Sequence, residues 1–492
     1  MVESIAVPVW LVVVLGLLAA WSVLDRLLMP SVRWFLRRRV NRLIDEINTR
    51  LRIELPAFGL TKRQVLIDRL LFDPAVQNAA AEFARETGAP RDALMVEIAR
   101  YAREIVPAFN AYLYFRVGYW LAKRIATLLY RVRLGYADED GFRRIDPKST
   151  VVFVMNHRSN MDYVLVAFMA AEKAALSYAV GEWARIWPLQ QLIRSMGAYF
   201  VRRNSGSPVY RKVLERYVQM ATEGGVSQAV YPEGGLSRDG RLRAPRFGLI
   251  DYMVKSFDPA GERDLVFIPV GLNYDRVLED RSLLLKVEPA SETRRKVSGV
   301  MTALGFAFRN FVLMARGRWH RFGYACVNFG TPISMRAYVA ASGVDFRHLS
   351  TEARKDAVEY LVTHLMKAVG AVVPVLPVSL VAAALLRDPD RRFSELELKA
   401  AAERLIEALL AGGAHFYVPR RDQDYAFAVG LRMLTLRRLV DTEDGLYSAR
   451  GGDMAMLSYY ANAIDHLLPD EARGAETLRE MPPEPRRAAA AS

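Results

Sequence analysis

The chain has 492 residues, of which 52% are apolar and 25% are charged, and its formal net charge is +14. This length exceeds what one hydrophobic core supports, so two or three domains are expected, and the apolar fraction excludes general disorder. The positive charge favours anionic partners: nucleic acid, anionic lipid, phosphorylated substrates or acidic carrier proteins. One cysteine, Cys326, excludes an internal disulfide, and no Cys/His cluster has zinc-ligand spacing, so no metal is expected.

An uncharged apolar run covers residues 5–24, which is long enough to cross a bilayer once as a helix. Only Glu3 carries charge before the run, whereas a cluster of arginines follows it. By the positive-inside rule this predicts a transmembrane anchor over residues 1–29 in the cell inner membrane, with the N-terminus outward and the remainder cytoplasmic. A soluble core helix is the alternative.

Residues 30–145 are predicted to form a helical, membrane-associated region. Residues 105–137 contain no acidic side chain. Arg116, Lys123, Arg124 and Arg131 recur there at spacings of seven or eight, which puts them on one helical face among aromatic residues. That pattern predicts a helix lying in an anionic membrane interface, and a core helix with a solvated basic edge is the alternative.

Strands and helices then alternate over residues 146–345. Apolar runs at 151–155, 197–201, 226–231, 265–272 and 324–329 are typical of strands. This layout predicts an α/β domain with a central, mostly parallel sheet and flanking helices. A helical domain is predicted over 346–480 and a disordered tail over 481–492. Within the apolar run 368–386, Gly370, Pro374 and Pro377 favour a turn and a buried helix over a second membrane span.

A strand-to-helix corner follows the run at 151–155. His157 lies two residues after the strand, and the pattern Ser-x-x-Asp ending at Asp162 is typical of a helix start. A carboxylate in that first turn can reach the imidazole and fix one ring nitrogen, which leaves the other free to act as a general base. The alternative is that Asp162 only caps the helix and that His157 is a solvated loop residue.

Three further segments end predicted strands with polar residues or glycines. Arg202 and Arg203 follow the strand at 197–201, where ligands bind in α/β sheets, although paired arginines are usually surface charge. The segment 231–240, YPEGGLSRDG, offers backbone amides to an anion, or is an ordinary turn. Pro269 lies inside a predicted strand, which suits an edge or a strand end near a site.

In this order, NHRSNMD (156–162), GAYFVRR (197–203), YPEGGLSRDG (231–240) and IPVGLNYD (268–275) resemble the four sequence blocks of the glycerolipid acyltransferases. The resemblance is nearest to the membrane glycerol-3-phosphate 1-O-acyltransferases. Two later segments, GYACVNFGTPISM (323–335) and MLSYYANAIDHLL (456–468), are also similar to that family. The resemblance covers roughly residues 110–470.

The resemblance implies a role for individual residues. His157 matches the family's general base and Asp162 matches its orienting acid. The implied substrate contacts are Arg158, Ser159, Arg202, Arg203, Glu233, Gly234, Gly235, Ser237, Arg238 and Pro269. One departure is Leu236, which stands where the family generally has Arg or another polar residue, and this removes one possible phosphate contact.

The implied activity is transfer of a fatty acyl group from an acyl thioester, either acyl-CoA or acylated acyl carrier protein, to the sn-1 hydroxyl of glycerol 3-phosphate, without a cofactor. Acylation of a lysophospholipid or of dihydroxyacetone phosphate is an alternative on the same scaffold. A non-catalytic protein that binds anionic phospholipid membranes is an alternative of another class. Nucleic acid is the least favoured partner, because no recognised nucleic-acid motif occurs.

Overall fold

The computed structural model describes residues 62–110, 113–170, 176–180, 189–202, 205–284 and 322–469. The predicted anchor over 1–29 and the predicted tail over 481–492 lie outside these ranges. Within them, no helix is both long enough and apolar enough to cross a membrane.

Helices flank a central sheet along the whole described chain. In chain order they are α1 (Arg63–Leu71), α2 (Pro74–Thr87), α3 (Arg91–Ile105), α4 (Tyr119–Leu129), α5 (Glu139–Arg143), α6 (Met161–Ala170), α7 (Leu189–Ser195), α8 (Pro208–Glu223), α9 (Gly248–Val254), α10 (Asp280–Leu284), α11 (Met335–Ser342), α12 (Thr351–Ala371), α13 (Pro377–Leu386), α14 (Glu395–Ala411), α15 (Gln423–Leu436) and α16 (Met454–Asp465). The strands are β1 (Arg131–Ala137), β2 (Thr150–Met155), β3 (Ser177–Val180), β4 (Tyr199–Phe200), β5 (Gln228–Val230), β6 (Leu265–Tyr274), β7 (Tyr324–Phe329), β8 (Ile333–Ser334), β9 (Phe393–Ser394), β10 (Val440–Glu443) and β11 (Leu446–Ala449).

The main sheet is mostly parallel, as predicted. Its strand order is β1-β7-β6-β2-β5-β3-β4, and β8 pairs with β6. The strands β6, β2, β5, β3 and β4 all run parallel to one another, whereas β7 is antiparallel to β6. The carboxyl ends of the five parallel strands therefore meet at one edge of the sheet, which is where ligands bind in such folds.

The central strand β2 is buried on both faces. Val152 and Val154 belong to a core formed with α3, α8 and α12, whereas Val151, Phe153 and Met155 face a second core that contains α6, α13 and α16. Successive side chains of a strand point to opposite faces, so a strand between two cores needs apolar residues at every position. This explains the continuous apolar run that precedes His157.

The predicted single helix over 105–137 is wrong. Helix α3 ends at Ile105, a π-helical turn covers Leu113–Gly118, α4 ends at Leu129, and β1 follows. Arg131 consequently lies on a strand and does not share a helical face with Lys123 and Arg124. The alternation Arg-Val-Arg-Leu at the start of β1 has the period of a strand. Because β1 pairs with β7, the sheet begins earlier than the predicted boundary at residue 146.

The apolar run 368–386 forms a turn and a buried helix, which confirms the prediction. Helix α12 ends at Ala371, and α13 begins at Pro377, a residue suited to the first position of a helix. Every residue of α13 up to Leu385 is buried, and the helix packs on α14, α15 and α16. A small antiparallel sheet, in the order β10-β11-β9, completes this region and was not predicted.

Candidate active site

His157 and Asp162 form a buried hydrogen-bonded pair at the carboxyl edge of the sheet. The Nδ1 atom of His157 donates to Oδ2 of Asp162 over 2.9 Å. The same oxygen accepts the backbone N–H groups of Arg158 at 2.7 Å and Ser159 at 3.0 Å, so it acts as an acceptor throughout. The proton of the imidazole therefore resides on Nδ1, which leaves Nε2 free to accept another.

The second oxygen of Asp162 is held by the far end of β6. The hydroxyl of Tyr274 donates to Oδ1, and both side chains are completely buried. Burial, together with the nearby Asp162 carboxylate, raises the pKa of Tyr274 well above its ordinary value, so the phenol keeps the proton that it donates. Four donors thus fix one carboxylate, and the carboxylate fixes the imidazole.

The ring and backbone of His157 are fixed from β5 and the segment after it. The imidazole lies 4.3 Å from the ring of Tyr231 and 5.5 Å from that of Tyr163, measured between centroids. The backbone N–H of His157 donates to Glu233 at 3.0 Å, and its carbonyl accepts the N–H of Ser237 at 2.9 Å. The segments 156–162 and 231–240 are therefore joined by two hydrogen bonds.

His157 opens onto a cavity of about 410 Å³ whose lining includes three arginines, Arg202, Arg211 and Arg246. The guanidinium of Arg202 is fixed, because its Nε and one Nη donate to both oxygens of Glu104 at 2.9 and 2.6 Å. The aromatic rings of Tyr101 and Tyr210 each lie 5.2 Å from that guanidinium. Such a cluster of cations beside a free imidazole nitrogen suits an anionic substrate that carries a hydroxyl group.

Four of the predicted site residues line this cavity: His157, Arg202, Gly234 and Gly235. Arg203 lies outside the described residues. Arg238 does not line the cavity, since its side chain is exposed on the turn beyond it. The structure therefore does not bring Arg238 to the cavity beside Arg202, whereas Arg211 and Arg246 do line it.

Glu233 and Ser237 are buried, and their side chains form hydrogen bonds within the loops rather than line the cavity. Both acceptor bonds of Glu233 go to backbone N–H groups, those of His157 at 3.0 Å and Arg243 at 3.3 Å. The hydroxyl of Ser237 donates to the carbonyl of Arg241 at 2.8 Å and accepts the N–H of Gly240 at 3.0 Å. The hydrogen bonds of these two side chains therefore shape the turn, and neither residue lines the cavity.

Arg158, Ser159 and Pro269 also stand away from the cavity lining. Arg158 is buried and donates to the carbonyl of Gly240, and the Ser159 hydroxyl donates to Glu279 at 2.7 Å. Pro269 lies in mid-strand on β6, where its carbonyl accepts the N–H of Gly330 at 2.8 Å. Gly330 lies between β7 and β8, so the missing N–H of the proline falls at a gap between two partner strands.

The sequence did not single out Arg211 and Arg246, which line the cavity, or Tyr274, which donates to Asp162. Arg211 lies in the first turn of α8, and Arg246 lies just before α9. Nothing in their local sequence distinguishes them from surface arginines. Tyr274 had a signal, because it shares with Val270 and Leu272 the face of β6 that packs on the core behind Asp162.

A second, apolar cavity of about 180 Å³ adjoins the first. Its walls are α4, α6, α7 and β3, and Tyr163 and Val180 line both cavities. The inward side chains of Leu121, Ala122 and Ile125 on α4 line it.

Among the residues that the structure describes, no cluster of three His, Cys, Asp or Glu side chains could hold a metal ion.

The carboxyl group of Glu233 links folding to pH. Burial raises its pKa from 4.5 to about 8, although the N–H groups of His157 and Arg243 oppose that shift. Between those two values the folded protein binds more protons than the unfolded chain, so stability decreases as pH rises. Burial also raises the pKa of Asp275 from 3.8 to about 7, which acts in the same direction.

We predict that Glu233→Gln weakens this pH dependence. The free energy of unfolding of the wild type is expected to be lower at about pH 8 than at about pH 5.5, and the difference is expected to shrink in the variant while Asp275 maintains a remainder. Urea titrations at both pH values measure it, and Glu359→Gln, at an exposed position on α12, is the control. An unchanged difference in Glu233→Gln would contradict the assignment.

Comparisons with known proteins found two family models that match separate parts of the chain. Residues 138–273 match the family model described as Acyltransferase, and residues 309–489 match the one described as Glycerol-3-phosphate acyltransferase C-terminal region. A solved structure of a 1-acyl-sn-glycerophosphate (LPA) acyltransferase from Thermotoga maritima is 18% identical, with a TM-score of 0.30, and the match covers 51% of this chain and 78% of that one.

Two bacterial relatives align along most of the chain. A glycerol-3-phosphate acyltransferase of Xanthomonas axonopodis pv. citri (strain 306) is 26% identical over 447 residues, which is 87% of this chain and 48% of the relative. One from Xylella fastidiosa (strain M23) is 27% identical over 443 residues, covering 87% and 50%. The chain spans about half the length of these relatives. The two family models follow one another along the chain, and the chain is similar to these glycerol-3-phosphate acyltransferases over most of its length.

Proposed function

We propose that this chain transfers a fatty acyl group from an acyl thioester to the sn-1 hydroxyl of glycerol 3-phosphate, which gives lysophosphatidic acid, the first step of phospholipid synthesis. The observation that carries this proposal is the buried pair of His157 and Asp162 beside a cavity lined by three arginines. The activity for which the two bacterial relatives are named supports the same acceptor.

The chemistry is direct acyl transfer by general base catalysis. Nε2 of His157 removes the proton of the acceptor hydroxyl as its oxygen bonds to the thioester carbonyl carbon. The carbon–sulfur bond then breaks, and the imidazolium returns its proton to the leaving thiolate, so no acyl-enzyme forms. Asp162 stabilises the imidazolium while it exists. Base assistance of this kind contributes about 10²- to 10⁴-fold to the rate.

The phosphate of the acceptor binds to the guanidinium groups at the cavity. Glu104 holds Arg202 in one orientation through two hydrogen bonds, which leaves the remaining Nη of that guanidinium for the ligand. Arg211 and Arg246 add charge without a fixed partner among the described side chains, so they can close on an anion. Guanidinium suits this role because its planar fork matches two phosphate oxygens.

The acyl chain occupies the adjoining apolar cavity. Tyr163 and Val180 line both cavities, so a thioester carbonyl held near His157 would have its chain directed between α4 and α6. Apolar walls at this point also exclude water, which would otherwise hydrolyse the thioester. The donor is acyl-CoA or acylated acyl carrier protein, both of which are acidic and suit a chain of net charge +14.

The proposed place of action is the cytoplasmic face of the inner membrane, with the apolar run 5–24 as the anchor and its N-terminus outward. The outward face of α4 supports contact with lipid. Trp120 and Leu128 are 56% and 44% exposed on that face, next to the exposed side chains of Lys123 and Arg124. Aromatic and apolar groups beside cations are typical of helices at an anionic membrane surface.

We predict that His157→Ala abolishes acyl transfer while the fold persists. The rate of lipid formation from radiolabelled glycerol 3-phosphate is expected to fall by about 10²- to 10⁴-fold, because the base is gone. Purified protein in detergent is assayed with acyl-CoA and with acylated acyl carrier protein as donors, and dihydroxyacetone phosphate and a lysophospholipid are tested as acceptors. His348→Ala, at an exposed position, is the control.

Failure of the wild type to label lipid with either donor would show the proposed function to be wrong. Full activity in His157→Ala would exclude the mechanism, and lipid binding without transfer in both proteins would favour the non-catalytic alternative.

We predict that Arg246→Ala raises the KM for glycerol 3-phosphate by about 10-fold or more and changes kcat little, because a charged hydrogen bond is worth about 1.5–3 kcal/mol. Arg238→Ala is the matched control, since it removes the same charge eight residues away, outside the cavity lining. Its KM is expected to stay within about 2-fold of the wild type. If Arg238→Ala raises the KM and Arg246→Ala does not, the phosphate binds at the turn that carries Arg238.

We predict that position 128 contacts lipid. The native Cys326 is completely buried, so a cysteine introduced by Leu128→Cys can be labelled selectively with a polarity-sensitive fluorophore. Emission is expected to shift to the blue on vesicles that contain phosphatidylglycerol, and brominated lipid is expected to quench it. Tyr360→Cys, at a position 60% exposed on α12, is the control. An identical response at both positions would contradict a specific lipid-facing surface.

A further inference from the structure

The segment after β6 is fixed by the C-terminal helix α16. The hydroxyl of Tyr460 accepts the backbone N–H of Val277 at 3.1 Å and donates to the carboxylate of Asp280. Arg437, the residue that follows α15, donates to the same carboxylate. Tyr460 is completely buried and Asp280 is 4% exposed. A carboxylate at this depth persists only with partners, so the C-terminal helices determine where residues 277–280 lie.

The same segment reaches the catalytic corner through Glu279. One of its oxygens accepts the hydroxyl of Ser159 at 2.7 Å, and the other accepts the side-chain amide of Asn160 at 3.0 Å. Ser159 and Asn160 lie between His157 and Asp162 in the sequence. Any movement of Glu279 is therefore transmitted to the loop that carries both members of the pair.

Tyr459 contacts the other side of the corner. The guanidinium of Arg158, the residue after His157, lies 4.9 Å from the Tyr459 ring centroid, and it donates to the carbonyl of Gly240. At Gly240, φ is +89°, and a Cβ there would stand 1.9 Å from the carbonyl oxygen of Tyr459. Asn462 donates from α16 to the carbonyl of Asp239 at 2.9 Å. The turn of the third motif is thus pressed against α16.

We propose that α16 positions the catalytic pair, and that Tyr460 is a positioning residue that acts through Asp280, Glu279 and Ser159. Tyr460 touches neither the cavity nor the reacting atoms. Its contacts reach one flank of the loop at 157–162, and those of Tyr459 reach the other. The reaction then depends on a helix far along the chain, because the imidazole and the carboxylate must stay within hydrogen-bonding reach for every turnover.

The test compares Tyr460→Phe with Tyr447→Phe. The first variant keeps the ring and removes a hydroxyl that makes two buried hydrogen bonds. The second removes the hydroxyl of a half-buried tyrosine on β11. In the labelled-lipid assay, Tyr460→Phe is expected to lower kcat about 10-fold and to leave the KM for glycerol 3-phosphate within about 2-fold, the split expected when geometry in the transition state is lost. Tyr447→Phe is expected to match the wild type.

A double-mutant cycle tests the route. If Tyr460 acts through Glu279 and Ser159, then Ser159→Ala combined with Tyr460→Phe lowers kcat by little more than the larger single effect. Losses that multiply would overturn the route, and an unchanged kcat in Tyr460→Phe would overturn the proposal. A fall in kcat that only tracks a smaller folded fraction, measured by urea unfolding, would assign Tyr460 a structural role and overturn it too.

The kinetic readout rests on the proposed function, so a second readout is independent of it. In protein labelled with ¹⁵N-histidine, the Nδ1 proton of His157 resonates far downfield because it is hydrogen-bonded to a carboxylate, and His157→Ala identifies the signal. That signal is expected to shift or broaden in Tyr460→Phe and to stay unchanged in Tyr447→Phe. An unchanged signal in Tyr460→Phe overturns the positioning role even where the wild type fails to acylate glycerol 3-phosphate.

Discussion

The burial of one carboxylate organises the site. Asp162 is completely buried, and a charge at that depth is tolerated only when donors surround it. The donors are the ring of His157, the backbone of Arg158 and Ser159, and the hydroxyl of Tyr274. They come from the corner after β2 and from the end of β6, two neighbouring parallel strands. The pairing of those strands is therefore a condition for the imidazole to be oriented at all.

The same condition explains why the polar residues of the motifs divide into two groups. Glu233, Ser237 and Ser159 are buried and make hydrogen bonds inside the protein, and these fix the loops from which His157 and the glycines face the cavity. The charge at the cavity comes from Arg202, Arg211 and Arg246. A loop with several unsatisfied N–H groups would not keep one conformation, so most of its polar side chains form hydrogen bonds within the loops themselves.

The sequence predicted those features that depend on neighbouring residues along the chain. The apolar runs predicted β2, β4, β5, β6 and β7, although not β1 or β3, and the Ser-x-x-Asp pattern predicted the corner at His157. It was less informative where the contact is distant, since Arg246, Arg211 and Glu279 reach the site only through the fold. Two local signals were overlooked: the period-two alternation in β1, and the Asp444-Gly445 pair between β10 and β11, where both residues have positive φ, as a tight hairpin requires.

Under the proposed function, helix α4 separates the cavity that holds the acyl chain from the lipid on its outward face. Its inward residues Leu121 and Ile125 line the apolar cavity, and its outward residues Trp120 and Leu128 are exposed. A helix of 11 residues therefore lies between the apolar cavity and the outward surface. An acyl product is an amphiphile whose chain has no favourable path through water. If the outward face lies in lipid, the chain crosses only the width of one helix to leave. A short, acid-free helix beside an apolar cavity is then what release into a membrane requires.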